Sequence, residues 1–267
     1  VDWMYDVPTD IARTLGGLGQ AIHLNGPSLR VGYIVMDAAN VTGKNPNPFT
    51  DLKVRRAMNH AIDRRSLVDN IVKGSSRVLH TACHPIPIGC SQDVMQYDYD
   101  PAKARQLLEQ AGYPRGFDFE FWVYREKPAA RAIVADLRKT GIRAKIRYVS
   151  PGRLSKGRRR QEVSAYFGSW GSTGTADTSA IAYPHWNLSS KRNMSGDVAV
   201  DRDVKAAQRT LDPAVRKKLY REALHRIAGQ AYWVPLYTFT LNYLTSKELD
   251  FPVPKDGLPR LYRARWK

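Results

Sequence analysis

The residues that most often carry out chemistry in proteins are sparse in this sequence and show no catalytic spacing. No Gly-x-Ser-x-Gly, Gly-x-Gly-x-x-Gly after a strand, phosphate-binding loop or His-Glu-x-x-His motif occurs. The acidic residues are scattered, and no two are spaced as a general acid and base would be. The histidines include only one pair four positions apart, and that pair lies in a proline-rich loop: His23, His60, His80, His84, His185 and His225. The sequence therefore predicts neither an enzyme nor a metal or cofactor site.

Two cysteines, Cys83 and Cys90, flank a short segment that contains Pro85, Pro87 and Gly89. Two cysteines alone cannot make a structural zinc site. The residues between them shape a compact loop that a disulfide would close, and two free buried thiols are the alternative. We favour the disulfide, and with it an oxidising compartment.

The net charge of +17 is concentrated in two segments. Residues 131–160 contain eleven Lys and Arg and one acidic residue, residues 251–267 contain five and one, and the other 220 residues carry only about +3. A run such as Arg153–Arg160 could bind phosphates. It lacks interleaved aromatic residues and a recognition-helix pattern, so we interpret it as a solvated loop next to the outward face of a strand. A basic protein that binds nucleic acid or an anionic surface is the alternative function.

The elements that would position these residues alternate between strands and helices. The composition is that of a globular protein, and no apolar run approaches the roughly 18–20 residues of a membrane span. Strands are predicted at 29–35, 117–124, 142–148, 163–167, 232–239 and 241–245. Helices are predicted at 52–73, 101–112, 128–139, 201–210 and 213–228, with mostly irregular chain at 75–99 and 171–200. This order predicts an α/β domain with a largely parallel sheet.

Several motifs resemble family 5 of the extracellular solute-binding proteins of ABC importers, the peptide- and nickel-type group. The matching segments extend over nearly the whole chain: Pro48–Arg64, Tyr99–Pro114, Leu137–Ala144, Phe167–Gly171, Asp212–Tyr220 and Pro235–Tyr237. Each segment alone is a weak signal, and their shared order makes the resemblance specific.

The resemblance implies an α/β fold of the periplasmic-binding-protein type II kind, with the second lobe essentially complete and the first lobe only partial. It suggests a partial first-lobe segment at 1–29, the second lobe at 30–238, and a returning first-lobe segment with the tail at 239–267. The implied function is a periplasmic (or extracytoplasmic, membrane-associated) receptor that binds peptide-like solutes between its lobes and delivers them to an ABC permease. We expect no nucleic-acid partner, and we expect self-association through the face that the missing lobe would cover.

The resemblance also suggests four ligand-binding residues. Arg125 follows a predicted strand, where dipeptide-binding members place an arginine for the peptide carboxylate, and a guanidinium suits that group because it donates two parallel hydrogen bonds. The alternative is a surface arginine paired with Glu126 or with solvent. Asp177 lies where the family commonly has an Asp-Pro-Asp run and an acid can hold a peptide amine, although the run here reads Thr-Ala-Asp-Thr-Ser. Trp170 is predicted to be a cleft wall or a core residue, and Asp37 part of the hinge or the cleft rim.

Overall fold

The computed structural model describes residues 1–172, 174–254 and 256–267, which fold around a six-stranded mixed sheet. The strands of this sheet are β1 (Trp3–Tyr5), β2 (Ile22–Met36), β3 (Asp118–Val123), β4 (Arg143–Tyr148), β5 (Ala165–Gly171) and β6 (Trp233–Thr245). Across the sheet they lie in the order β1-β6-β2-β5-β3-β4. A separate ribbon pairs β7 (Leu249–Asp250) with β8 (Arg265–Trp266).

Helices connect these strands and cover both faces of the sheet. They are α1 (Thr9–Gly17), α2 (Leu52–His60), α3 (Arg64–Ser66), α4 (Pro101–Gln110), α5 (Lys127–Arg138), α6 (Pro151–Arg159), α7 (Ser179–Trp186), α8 (Val198–Arg209) and α9 (Pro213–Gly229). A π-helical segment, Leu67–Val72, continues α3. None of the helices formed by the described residues has the length and apolar character needed to span a membrane.

The strand directions differ from the sequence prediction. β3 is parallel to β4 and β5, whereas β2 is antiparallel to both β5 and β6, and β1 is antiparallel to β6. The prediction of a largely parallel sheet is therefore wrong. Alternation of strands and helices does not specify the direction of a strand, and β2, lying between β5 and β6, runs opposite to both.

Two large apolar clusters pack on the two faces of the sheet. The first cluster joins α2, α4 and α5 to alternate strand residues, among them Phe119, Phe121 and Val123 of β3. Strict alternation in this segment predicts that shared face. The second cluster joins α7, α8 and α9 to the opposite face and includes Trp122. Trp122 and Val123 are 1% and 0% exposed, because helices cover both sides of this strand.

Smaller clusters lie beyond this central core. The buried residues of the first and second clusters all fall within 31–239, whereas the two smaller clusters contain residues from 3–24 and 241–264. β2 and β6 extend through both regions, and their pairing is irregular between Pro27 and Val31. Along the described chain, the central core therefore gives way to the smaller clusters close to residues 24–31 and 239–241.

The predicted helix 52–73 is interrupted. α2 ends at His60, and the side chain of Asp63 accepts a hydrogen bond from Ser66 N at 2.9 Å to begin α3. A side-chain oxygen that caps a new helix offers the backbone an alternative to continuing the old one. Because the apolar periodicity continues over the whole segment 52–73, it does not indicate that Asp63 begins a new helix.

α6 occupies the basic run that we predicted to be a solvated loop, so that part of the prediction is wrong. Ser150 accepts a hydrogen bond from Arg153 N at 3.2 Å, and Pro151 takes the first helical position. Leu154 is buried on the inner side of the helix. The charged residues therefore cover the outer side of a helix.

Two further boundaries differ from the prediction. α7 lies inside the segment predicted to be mostly loop. The side chain of Thr178, the residue before the helix, makes no capping hydrogen bond, and the helix contains Pro184, so the usual sequence signals of a helix are missing. The strands predicted at 232–239 and 241–245 form the single long strand β6.

Cys83 and Cys90 form a disulfide, with their Cα atoms 5.9 Å apart, which confirms the predicted pairing. The loop that they close contacts the segment before α7. Ile88 forms an isolated bridge with Asp177, and Thr178 Oγ1 donates a hydrogen bond to Ile88 O at 2.9 Å. The disulfide thus closes a loop that contacts the segment immediately before α7.

Replacing both cysteines by alanine is expected to lower the free energy of unfolding by about 2–3 kcal/mol, because the cross-link restricts the unfolded chain. Urea denaturation measures the difference. Wild-type protein denatured in the presence of a reductant should show the same loss. An unchanged free energy of unfolding under both conditions would contradict a stabilising disulfide.

Candidate functional site

The carboxyl ends of the parallel strands β3, β4 and β5 lie side by side along one border of the sheet. This border is close to the residues where the central core gives way to the smaller clusters. Arg30 of β2 is paired there with Gly171. Its Nη1 donates to Ser169 Oγ at 3.0 Å, and Tyr124 OH lies 2.7 Å from the same oxygen. We call Arg30, Tyr124, Arg125 and residues 169–171 the strand-end edge. Ligands of open α/β sheets bind outside the carboxyl ends of strands.

Arg125 lies at the strand-end edge and is a partly exposed, firmly held cation. Its Nε donates to Glu126 Oε1 at 3.2 Å, and its Nη2 lies 3.5 Å from Asp6 Oδ2. Its Cζ lies 5.0 Å from the centroid of the Phe239 ring. Burial lowers the pKa of Arg125, but the carboxylates of Glu126 and Asp6 outweigh burial and hold that pKa above its usual value. The pairing with Glu126 is therefore present, together with a contact to the N-terminal segment.

Trp170 lies at the same edge but on the other face of the sheet. Its ring packs edge-on against His185, with 4.8 Å between ring centroids, and Arg192 Cζ lies 5.3 Å from its centroid. Its Nε1 is buried and has no hydrogen-bond partner among the described residues. Trp170 packs on the second cluster, whereas Arg125 lies over Phe239 of the first. The structure thus brings Arg125 and Trp170 to one edge without placing them in contact.

A cavity of about 250 Å³ lies beside Trp170. Tyr124 and Ser169 of the strand-end edge line it, so the cavity belongs to this edge. Its other polar and aromatic lining comes from β2, β5, α6, α7 and the segment after α7, and includes Tyr33, Arg158, Tyr166, Trp170, His185 and Arg192. Of the twelve described lining residues, five carry aromatic rings, two are arginines, and none carries a carboxylate.

His185 is a neutral, hydrogen-bonded part of the cavity wall. Its Nδ1 donates to Ile181 O at 2.9 Å, so its Nε2 accepts from Tyr33 OH at 3.1 Å. Burial lowers the pKa of His185 to about 3. Tyr33 in turn stacks on Trp233 with 3.8 Å between ring centroids. Both ring nitrogens of His185 are therefore engaged, and its role is to fix the aromatic wall.

Asp177 has a different position and a different partner. Arg216 donates to it from Nε and from Nη2, each at 2.8 Å, and Ser179 N donates at 2.8 Å. Burial raises the pKa of Asp177, but these hydrogen bonds outweigh burial and hold that pKa below its usual value. The carboxylate fastens the segment before α7 to α9. To hold a peptide amine, this carboxylate would have to share its oxygens with Arg216 and Ser179.

Asp37 directly follows the carboxyl end of β2, whereas Arg30 of the strand-end edge lies near the middle of that strand, and Asp37 is fully buried. Its carboxylate accepts hydrogen bonds from Val41 N at 2.7 Å, from Thr42 N at 3.0 Å and from Thr42 Oγ1 at 2.6 Å. These contacts close the loop that follows β2. The structure does not bring Asp37 together with Arg125, Trp170 or Asp177.

Sequence reasoning did not identify most of the cavity. Arg158, His185 and Arg192 come from separate elements, and no spacing in the sequence relates them; Trp170 alone was recognised as a residue near the site. Among the described residues, no three His, Cys, Asp or Glu side chains converge as the ligands of a metal ion would.

The sequence is similar to known solute-binding proteins. Residues 1–193 match the family described as bacterial extracellular solute-binding proteins, family 5 middle. Over 237 residues the chain is 34% identical to the glutathione-binding protein GsiB of Salmonella paratyphi A, a match that covers 84% of this chain and 45% of that protein. It is 32% identical over 241 residues to GsiB of Escherichia coli K12, with the same coverage. The chain thus spans about half the length of the curated relatives that it matches.

Solved structures show the same fold. The chain superimposes on the dipeptide-binding protein of Pseudoalteromonas sp. SM9913 in complex with Met-Leu with a TM-score of 0.85 and 23% identity, covering 100% of this chain and 54% of that one. DppA of Helicobacter pylori in complex with the peptide STSA gives a TM-score of 0.84 and 24% identity, covering 100% of this chain and 52% of that one. The predicted fold class, a periplasmic binding protein of type II of which this chain covers a part, is confirmed.

Proposed function

The chain belongs to family 5 of the bacterial extracellular solute-binding proteins, and we propose that it is part of a periplasmic receptor that binds a peptide-like solute between two lobes and delivers it to an ABC permease. The members it resembles are solute receptors rather than enzymes. In this proposal residues 30–238 are the second lobe, and residues 1–29 and 239–267 belong to the first. The disulfide supports an oxidising, extracytoplasmic location.

The position of the strand-end edge is the observation that carries the proposal. The edge lies where the central core, within 31–239, gives way to the small clusters of residues 3–24 and 241–264. A solute held between two lobes would contact side chains at such a junction. Arg125 already connects the two sides of this junction, because its guanidinium contacts Asp6 of the N-terminal segment.

Arg125 supplies the chemistry that a peptide carboxylate needs. Asp6 is 44% exposed and only 3.5 Å from Nη2 of Arg125, so a ligand carboxylate can replace Asp6 as the partner of that nitrogen. Trp170 would form a wall of the site on the other side of the edge. Glutathione and dipeptides, the ligands named for the relatives, both carry free carboxylates. We leave Asp37 and Asp177 out of the proposed contacts because their carboxylates are engaged within the protein.

The basic segment 131–160 is the feature that would favour the alternative function. Its charge is partly neutralised by acidic residues outside the segment: Arg143 lies 2.7 Å from Asp118, and Arg153 lies 2.7 Å from Glu162. Such pairing weakens the positive potential available to phosphates. We therefore favour the peptide receptor and let the same experiment test the alternative.

Isothermal titration calorimetry of the protein as its gene encodes it, with di- to pentapeptides and with glutathione, tests the proposal. We expect at least one of these solutes to bind with a Kd in the micromolar range, about −8 kcal/mol. Double-stranded DNA in about 200 mM salt should give no saturable heat, because nonspecific phosphate contacts weaken steeply there. Failure of every peptide to bind would contradict the proposal, and saturable DNA binding would favour the alternative.

A further inference from the structure

The cavity beside Trp170 has an excess of hydrogen-bond donors and positive charge. Arg158 Cζ lies 5.3 Å from the ring centroid of Tyr166, and its Nη1 makes only a long contact of 3.4 Å to Tyr166 OH. Arg192 lies over Trp170 in the same way, at 5.3 Å. Neither guanidinium has a carboxylate within 4.0 Å among the described residues, unlike Arg125, Arg153 and Arg216.

The described residues supply no counter-charge for these two guanidinium groups. The lining of the cavity includes Arg158 and Arg192 but no Asp or Glu. Charged groups that lose contact with water are usually paired with an opposite charge. The two guanidinium groups therefore line a space that favours an anion from outside the protein.

We propose that this cavity binds an anionic side group of the solute, a carboxylate, and that the receptor therefore selects acidic peptides. Arg158 and Arg192 donate charge-assisted hydrogen bonds to the group. The aromatic walls of Tyr33 and Tyr166 exclude water around it, which strengthens each of these contacts. A neutral side chain in the same place would leave both guanidinium groups without a counter-charge.

The size of the cavity fits a side group and not a whole solute. Its volume of about 250 Å³ is below the roughly 300–1,000 Å³ of pockets that enclose complete small ligands. Arg125 stands on the other side of the strand-end edge, where the proposed function places the terminal carboxylate. The inference rests on that proposed function: the solute would have one anionic group at Arg125 and a second in this cavity.

Calorimetry with a matched pair of tripeptides, Ala-Glu-Ala and Ala-Gln-Ala, tests the inference on the protein as its gene encodes it. We expect wild-type protein to bind Ala-Glu-Ala about 10- to 100-fold more tightly, the range typical of hydrogen bonds to charged groups. Arg158→Met and Arg192→Met should each reduce that preference below about threefold while leaving the affinity for Ala-Gln-Ala nearly unchanged. Arg159→Met is the matched control, since Arg159 is exposed on the same helix and its replacement should leave the preference intact.

The outcomes separate this inference from the proposed function. Equal affinity of wild-type protein for the two tripeptides would overturn the inference and leave a peptide receptor standing. A preference for Ala-Glu-Ala that survives in both Arg158→Met and Arg192→Met would also overturn it, because the selecting charges would lie elsewhere. If neither tripeptide binds and glutathione and the peptide library fail as well, both proposals are overturned. The wild-type comparison requires no variant to fold, so a folding defect in one variant cannot conceal the result.

Discussion

Arg64→Ala is expected to lower the free energy of unfolding by about 3–5 kcal/mol, because it removes a buried charged donor with several partners. Arg64 is 4% exposed. Its Nε donates to Pro235 O at 2.6 Å, and its Nη1 donates to Asn59 O at 2.9 Å and to Tyr97 O at 3.2 Å. Its Nη2 donates to Asn59 Oδ1 at 2.8 Å. One side chain thus joins the end of α2, the irregular segment 75–99 and β6.

The expected loss in the free energy of unfolding follows from the groups that Arg64→Ala would leave without partners. Burial lowers the pKa of Arg64 to about 10, so the guanidinium stays charged at neutral pH. Alanine would leave buried carbonyl oxygens without donors and a space that the surroundings cannot fill completely. Arg65→Ala is the matched control, because Arg65 is the exposed neighbour and its loss should change the free energy of unfolding by less than about 0.5 kcal/mol.

Urea denaturation followed by tryptophan fluorescence measures both variants. A loss below about 1 kcal/mol for Arg64→Ala would show that its hydrogen bonds are replaced by water or by other donors, contrary to the buried position described above.

Much of the fold could be predicted because its signals are local. Asp100 and Asp212 each stand before a proline at the first helical position, and each side chain accepts a backbone hydrogen bond there. Strict alternation likewise identifies β3. Strand direction has no such local signal, so the antiparallel course of β2 could not be predicted. α7 lacks the usual cap and contains Pro184, and α6 was concealed by its run of basic residues despite a regular cap at Ser150.

The site was only partly predictable, for a different reason. A family resemblance can assign a role to one position at a time, and it identified Arg125 and Trp170 at what proves to be a common edge of the sheet. The cavity depends on contacts between distant segments: Arg158 with Tyr166 on β5, Arg192 with Trp170, and His185 with Tyr33 on β2. Nothing in the spacing of these residues indicates that they meet. The engagement of Asp177 by Arg216, 39 positions away, is equally invisible in the sequence.

Arg125→Met is expected to weaken the binding of Ala-Gln-Ala by about 10- to 100-fold, the equivalent of a charge-assisted hydrogen bond to a carboxylate. Methionine keeps an apolar side chain over Phe239 while it removes the guanidinium. The carboxylates of Asp6 and Glu126, which Arg125 now neutralises, would then repel the peptide carboxylate and add to the loss. Arg131→Met on α5 is the matched control, because Arg131 is exposed and the change in net charge is the same; this variant should bind like wild-type protein.

The most direct test of a receptor that holds a peptide at Arg125 is a calorimetric cycle with the protein as its gene encodes it. Wild-type protein and Arg125→Met are each titrated with Ala-Gln-Ala and with its C-terminal amide, which lacks the carboxylate. We predict that amidation weakens binding to wild-type protein by about 10- to 100-fold but weakens binding to Arg125→Met by less than about threefold, because the interaction is already lost. Equal losses on amidation in the two proteins would contradict a carboxylate site at Arg125.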